Sequence, residues 1–130
     1  MANLDPMARQ VDHAIAAFLD DVRERGLSDK ILLVVTGEMG RTPRRNKDGG
    51  RDHYANLTSL LLAGGGLKMG QVIGQSDRIA SQPTTERYTP KNLMATIMGT
   101  LLDLGEVRVR PGLGRVANVL TETDPIPGLM

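Results

Sequence analysis

Two short aliphatic runs constrain this chain more than any other feature: ILLVVT at 31–36 and LTSLLLA at 57–63. The first follows a polar turn (Ser28, Asp29, Lys30), is rich in β-branched residues, and is apolar at successive rather than alternate positions. That is the pattern of a strand covered on both faces, as in the centre of an α/β sheet. Periodicity alone would admit a helix for the second run, but its brevity and the Gly64-Gly65-Gly66 triplet that closes it select a strand. A shorter third strand is expected at 71–73.

The segments on either side read as helices. Asp5 is a good N-cap and Pro6 suits the first helical position, where its missing N–H costs nothing. Met7, Val11, Ile15, Phe18, Leu19 and Val22 then recur at helical spacing, and Gly26 supplies a left-handed stop. Asp12, Asp20, Asp21, Arg23 and Glu24 make the opposite, solvated face. Thr89-Pro90 repeats the start signal ahead of Leu93, Met94, Ile97, Met98, Leu101 and Leu102, with Gly105 as the expected stop. Residues 76–89 are polar and irregular. The tail from Glu106 is broken by Gly112, Gly114, Pro125 and Pro127, with 116–120 as a short edge strand.

Helix, buried strand, long polar loop, buried strand and helix predict an α/β three-layer sandwich: a partial, mostly parallel sheet flanked by helices, in one domain over 1–130. Its core has to be aliphatic, because Phe18, Tyr54 and Tyr88 are the only aromatic residues and tryptophan is absent. In such sheets ligands bind beyond the carboxyl ends of the strands. Topology therefore directs attention to the loop that leaves the first strand at Thr36.

Charge and composition exclude several partners. A net charge of +1 and an aromatic fraction of 2% supply neither the basic excess nor the stacking platforms of a nucleic-acid binder. No apolar run reaches the eighteen or so residues of a membrane span. The N-terminal MANLDPMARQ lacks the apolar stretch of a secretory signal. With no cysteine, disulfides, thiolate metal sites and a cysteine nucleophile are all excluded.

The loop, TGEMGRTPRRNKDGGRDHY at 36–54, holds the residues suited to chemistry. Gly37 and Gly40 frame Glu38, and Gly49-Gly50 precedes Asp52 and His53, so the backbone can bend to present a carboxylate and an imidazole. Carboxylate oxygen and imidazole nitrogen suit zinc, manganese or related divalent ions, and equally suit general acid–base work. Five cations (Arg41, Arg44, Arg45, Lys47, Arg51) against Asp48 and Asp52 leave a charge of +3 over 41–52. Arginine's planar fork matches phosphate, sulfate or carboxylate. Simpler roles stand beside these: Glu38 as a turn residue, His53 on a loop carbonyl, and Arg44, Arg45 and Lys47 as a solvated tip. His13 lies on the first helix as a structural or exposed residue. The Gly64 triplet has no lysine or helix after it of the kind a P-loop requires, and reads as a turn.

Three phrases in order, LLVVTGEMGRTPRRNKDGGRDHY, LLLAGGGLKMGQVIG and TPKNLMATIMGTLLDLG, resemble the C-terminal part of the domain-of-unknown-function 1501 family. These are bacterial proteins, abundant in planctomycetes, related to the alkaline phosphatase and sulfatase superfamily. The resemblance spans about 12–120. In that superfamily a strand ends in a Ser/Thr-Asp-His-Gly phrase whose Asp and His bind metal, and a later His completes the site. Glu38 falls where the Asp stands, Met39 where the His stands, and His53 near the later His. Met39 is a departure, since a thioether is a poor ligand for hard ions. The resemblance implies a metal (Zn, Mn or Ca) on Glu38 and His53, and an anionic small molecule or a sulfated or phosphorylated substrate on Arg41 and Arg51. It also implies that the nucleophile half is not in this chain, so that 1–130 is a C-terminal fragment with little turnover alone. Exported, periplasmic full-length proteins, and self-association through an open sheet edge, belong to the same expectation. The alternative is a non-catalytic module that binds an anionic polysaccharide or a protein partner.

Overall fold

The computed structural model describes residues 4–120 and 122–130, the side chain of Leu4 excepted. The chain divides into two compact units, Met1–Gly64 and Gly65–Met130.

The first unit begins with helix α1, Leu4–Glu24. Asp5 and Pro6 lie inside its first turn rather than at a cap, and Asp5 complements the positive end of the helix dipole there. Gly26 ends it as expected, at φ +66. The Gly26 N–H donates to the Arg23 carbonyl (3.0 Å) and the Leu27 N–H to the Val22 carbonyl (2.9 Å), the paired bonds of a Schellman stop. Of the helix's apolar stripe only Val22 is buried; Met7 and Val11 are more than half exposed.

Strands β1 (Leu32–Thr36) and β4 (Leu60–Gly64) occupy the two aliphatic runs. They pair antiparallel, from Leu32 opposite Gly64 to Thr36 opposite Leu60. This corrects the parallel three-layer sheet expected from the sequence: the described strands form two small antiparallel sheets within a mixed helix-and-strand fold. A parallel partner needs a crossover connection, normally a helix. Here the connection instead folds back on itself as a second ribbon, β2 (Gly40–Arg41) against β3 (His53–Tyr54), and so reverses the chain. Nor are the strands buried on both faces; β1 is half-buried, and Leu60 and Leu61 are exposed. Gly64 has a specific reason to be glycine. At φ +82, a Cβ there would lie 2.3 Å from the Ile31 carbonyl oxygen.

The second unit is built around helix α2, Pro90–Leu101. The Asn92 side-chain oxygen accepts from both the Thr89 N–H and the Thr89 hydroxyl, each at 2.8 Å, and fixes the start of the helix. The helix stops at Leu102 rather than at Gly105. Asp103 cuts it short by capping helix α3 (Leu104–Val109), where its carboxylate accepts from the Glu106 N–H at 3.0 Å. The edge strand expected at 116–120 is helix α4, Gly114–Leu120. The valines there favour a strand locally, but α4 packs against α3 and α2 and buries Ala117, and packing overrides propensity. No strand forms at 71–73, where Val72 is almost fully exposed.

Leu67, Ala95, Thr96, Ala117, Ile126 and Leu129 are the buried residues of this unit. The polar one, Thr96, is fully enclosed and fully bonded. Its hydroxyl donates to the Asn92 carbonyl and accepts from the Ile126 N–H, both at 2.8 Å. Further on, the Lys68 N–H donates to the Leu129 carbonyl (2.8 Å) and the Gln71 amide to the Gly128 carbonyl (2.7 Å). Lys68 and Gln71 thus hold residues 128–129, and Gln71 is the residue of the expected strand that takes part.

Candidate functional site

The candidate site is the β2–β3 ribbon and the loop at its tip. Register sets its centre: Gly40 lies opposite Tyr54 and Arg41 opposite His53. The next pair outward, Thr42 and Asp52, is joined by the Thr42 N–H to the Asp52 carbonyl (2.9 Å) and the Asp52 N–H to the Thr42 hydroxyl (3.1 Å). Directly opposed residues in an antiparallel pair project their side chains to the same face, with Cβ atoms about 5 Å apart. Arg41 and His53 therefore share one face of the ribbon. Both are exposed, and neither side chain makes a hydrogen bond or ion pair among the described residues.

Gly40 makes this pairing sterically feasible. A Cβ on it would sit 1.7 Å from the Leu57 carbonyl oxygen, closer than any side chain can come. Glu38 lies just before, in an exposed bend, and also makes no hydrogen bond or ion pair among the described residues. Thr36, at the end of β1, turns its hydroxyl onto the Gly37 carbonyl at 3.0 Å.

Beyond the strands the tip is held by Asn46, a residue that the charge pattern did not single out. Its side-chain oxygen accepts from the Asp48 N–H (3.1 Å) and the Gly50 N–H (2.9 Å), and its amide donates to the Asp52 carboxylate (2.8 Å). Backbone bonds from Asn46 to Gly50 and from Gly49 to Asn46 close the turn, with Gly49 at φ +78. The signal was present in Asn46-Lys47-Asp48-Gly49, an Asx-turn composition. Thr42 is the second organiser, donating its hydroxyl to the Arg44 carbonyl at 2.9 Å.

The cations divide into two groups. Arg51 points back along the loop and donates through Nη1 to the Thr42 (2.7 Å) and Pro43 (2.6 Å) carbonyls, so part of its fork braces the ribbon. Its other guanidinium nitrogens, and the side chains of Arg41, Arg44, Arg45 and Lys47, make no hydrogen bond or ion pair among the described residues. His13 lies on α1 with an exposed side chain.

The family model described as "Protein of unknown function (DUF1501)" matches residues 1–119. The chain belongs to this family. No curated protein and no solved structure matches it. The family description assigns no chemistry, so the reading of the ribbon rests on its residues. No described helix is long and apolar enough to cross a membrane. Among the described residues no group of three or more His, Cys, Asp and Glu side chains is placed to hold a metal. Catalytic zinc sites take three protein ligands and calcium takes six to eight oxygens. Glu38 and His53 are chemically suitable donors, but two of them fall short of either set.

Proposed function

We propose that the ribbon of residues 40–54 recognises the sulfate or phosphate group of an anionic ester, as the substrate-holding part of a hydrolase-like domain. The observation that carries this reading is the register of Arg41 against His53, with both side chains unpaired among the described residues and on one face. Arg41 offers parallel N–H donors to two oxygens of a tetrahedral anion. His53 supplies an imidazole N–H from the facing strand. Arg51 braces the ribbon through its bonds to Thr42 and Pro43, and its remaining guanidinium nitrogens offer further donors. Glu38 is a carboxylate at the entrance to β2, available to accept a proton or to join a metal. A metal held there would need a third donor beyond Glu38 and His53.

Calorimetric titration with an aryl sulfate and an aryl phosphate tests this. Arg41→Ala is expected to weaken both by about fivefold, the loss of ~1 kcal/mol at an exposed charged contact. His53→Ala is expected to weaken them as well, and Glu38→Gln to leave affinity unchanged. Equal affinity in all three variants and the parent would remove the reading. Release of the aryl alcohol, abolished by His53→Ala, would extend it from recognition to turnover. Stoichiometric metal in the purified chain, lost in Glu38→Gln, would add an ion to the site.

A further inference from the structure

The tip of the ribbon adds something that one ester group does not use. We infer that Arg44, Arg45 and Lys47 extend the site from one anionic group to several, so that the ligand is a sulfated polysaccharide chain. The inference rests on Arg41 and His53 holding the first anionic group.

Three observations lead there. The first is that the tip is ordered from within. Asn46 accepts from two backbone N–H groups, the Asn46 and Gly50 backbones bond to each other, and Thr42 closes on Arg44. A pre-ordered loop loses less freedom on binding than a solvated one.

The second is which charges that order consumes. The hydrogen bonds engage the Asp52 carboxylate through Asn46 and part of Arg51 through two carbonyls. Among the described residues they leave Arg41, Arg44, Arg45 and Lys47 unengaged within seven residues of chain, with no acid between the first and last of them and Asp48 next in sequence. Elsewhere among the described residues Arg23, Arg25 and Arg110 each pair with a carboxylate one helical turn away, whereas no such acid lies between the tip cations. A concentration of unengaged cations on a fixed turn produces a local positive potential that a single monoester cannot neutralise.

The third is what the tip lacks. Residues 41–52 contain no aromatic side chain and, Pro43 apart, no apolar one. Single-stranded nucleic acid would need stacking platforms, and an acidic peptide would bring apolar side chains that find no pocket. A ligand recognised by charge and hydroxyl groups alone fits: sulfate groups for the arginine forks, sugar hydroxyls for Thr42, Asn46 and the exposed turn backbone.

The test compares a heparin oligosaccharide, an aryl sulfate, single-stranded DNA and poly-glutamate on the full chain, across a range of salt concentrations. The parent chain is expected to bind the oligosaccharide at least about tenfold more tightly than the aryl sulfate, and more tightly than the other two polymers at equal ionic strength. The Arg44→Ala/Arg45→Ala/Lys47→Ala variant is expected to lose about tenfold in oligosaccharide affinity. Its salt dependence, as the slope of log K against log salt, should fall by about 2–3. Its aryl sulfate affinity should not change, and slow exchange of the Gly50 amide should show that the tip still folds.

Unaltered oligosaccharide affinity and slope in that variant would overturn the inference and leave the Arg41–His53 reading standing. Equal binding of DNA or poly-glutamate would overturn it too, since charge alone would then account for the affinity. Failure of the parent chain to bind aryl sulfate at all would instead strike the Arg41–His53 reading, and the inference with it.

Discussion

Replacing Gly40 by alanine is the sharpest perturbation of the site that removes no functional group. The added Cβ would lie 1.7 Å from the Leu57 carbonyl oxygen, 2.9 Å from the Leu57 carbonyl carbon and 3.1 Å from the Tyr54 carbonyl oxygen. All three are backbone atoms, so no rotamer change relieves the clash. Restoring even a 3.0 Å contact with the nearest requires about 1.3 Å of backbone movement. Movement on that scale unseats the pairing of Gly40 with Tyr54 and of Arg41 with His53. Overpacking costs about 1–3 kcal/mol, and losing a net hydrogen bond adds about 1 kcal/mol. Gly40→Ala is therefore expected to lower unfolding free energy by about 2–4 kcal/mol. Gly37→Ala is the control: its nearest neighbour would be the Met39 carbonyl oxygen at 3.6 Å, an ordinary contact, and its φ is not in the left-handed region. It should stay within about 1 kcal/mol of the parent. Urea unfolding gives the free energies, and hydrogen exchange at the Thr42 amide, which donates to Asp52, reports the ribbon directly. A Gly40→Ala protein with parental stability and a protected Thr42 amide would refute the close approach of Gly40 to Leu57.

Thr96→Val keeps shape but leaves the buried Ile126 N–H without its acceptor, which should cost about 1–3 kcal/mol in urea unfolding and speed exchange at Ile126. Asn46→Ala retains every cation of the tip while deleting its three side-chain bonds. Exchange at the Asp48 and Gly50 amides should rise, and oligosaccharide affinity should fall by about threefold as the ordering cost returns. Asp77 accepts from the Ser81 hydroxyl and N–H, and these bonds hold its pKa below the ordinary 3.8. A carboxyl depressed in the folded state stabilises the fold above its unfolded pKa and loses that contribution as pH falls through the folded one. The window here lies below pH 3.8. Ser81→Ala should move the Asp77 midpoint up toward 3.8 in an NMR titration, and an unmoved midpoint would contradict the assignment to Ser81.

Local features of this chain were legible where a short-range rule decides them. Gly26 stops α1, Thr89-Pro90 starts α2, and both aliphatic runs contain strands. What failed were readings that depend on which elements meet. Antiparallel pairing of β1 and β4 follows from the loop between them folding back as a ribbon, and the two-residue strands of that ribbon carry no periodic signal. The valine-rich 116–120 is helix, where α4 packs against α3 and α2 with Ala117 buried. Within the candidate site, residue type singled out Arg41, His53 and Glu38, and only register shows that the first two are opposed. Sequence spacing also could not show that Arg51 braces the loop through Thr42 and Pro43 while Arg44, Arg45 and Lys47 are left open. Asn46 went unnoticed because it carries no charge, although its turn composition was visible.

Whether Arg41 and His53 form one anion-binding face is read residue by residue in an NMR titration with an aryl sulfate. Saturable shifts are expected on the Arg41 guanidinium, the His53 ring and the amides of 40–42 and 52–54, abolished together in Arg41→Ala. Shifts confined to the Gly65–Met130 unit, or shifts at His53 that persist undiminished without the Arg41 guanidinium, would contradict a shared face.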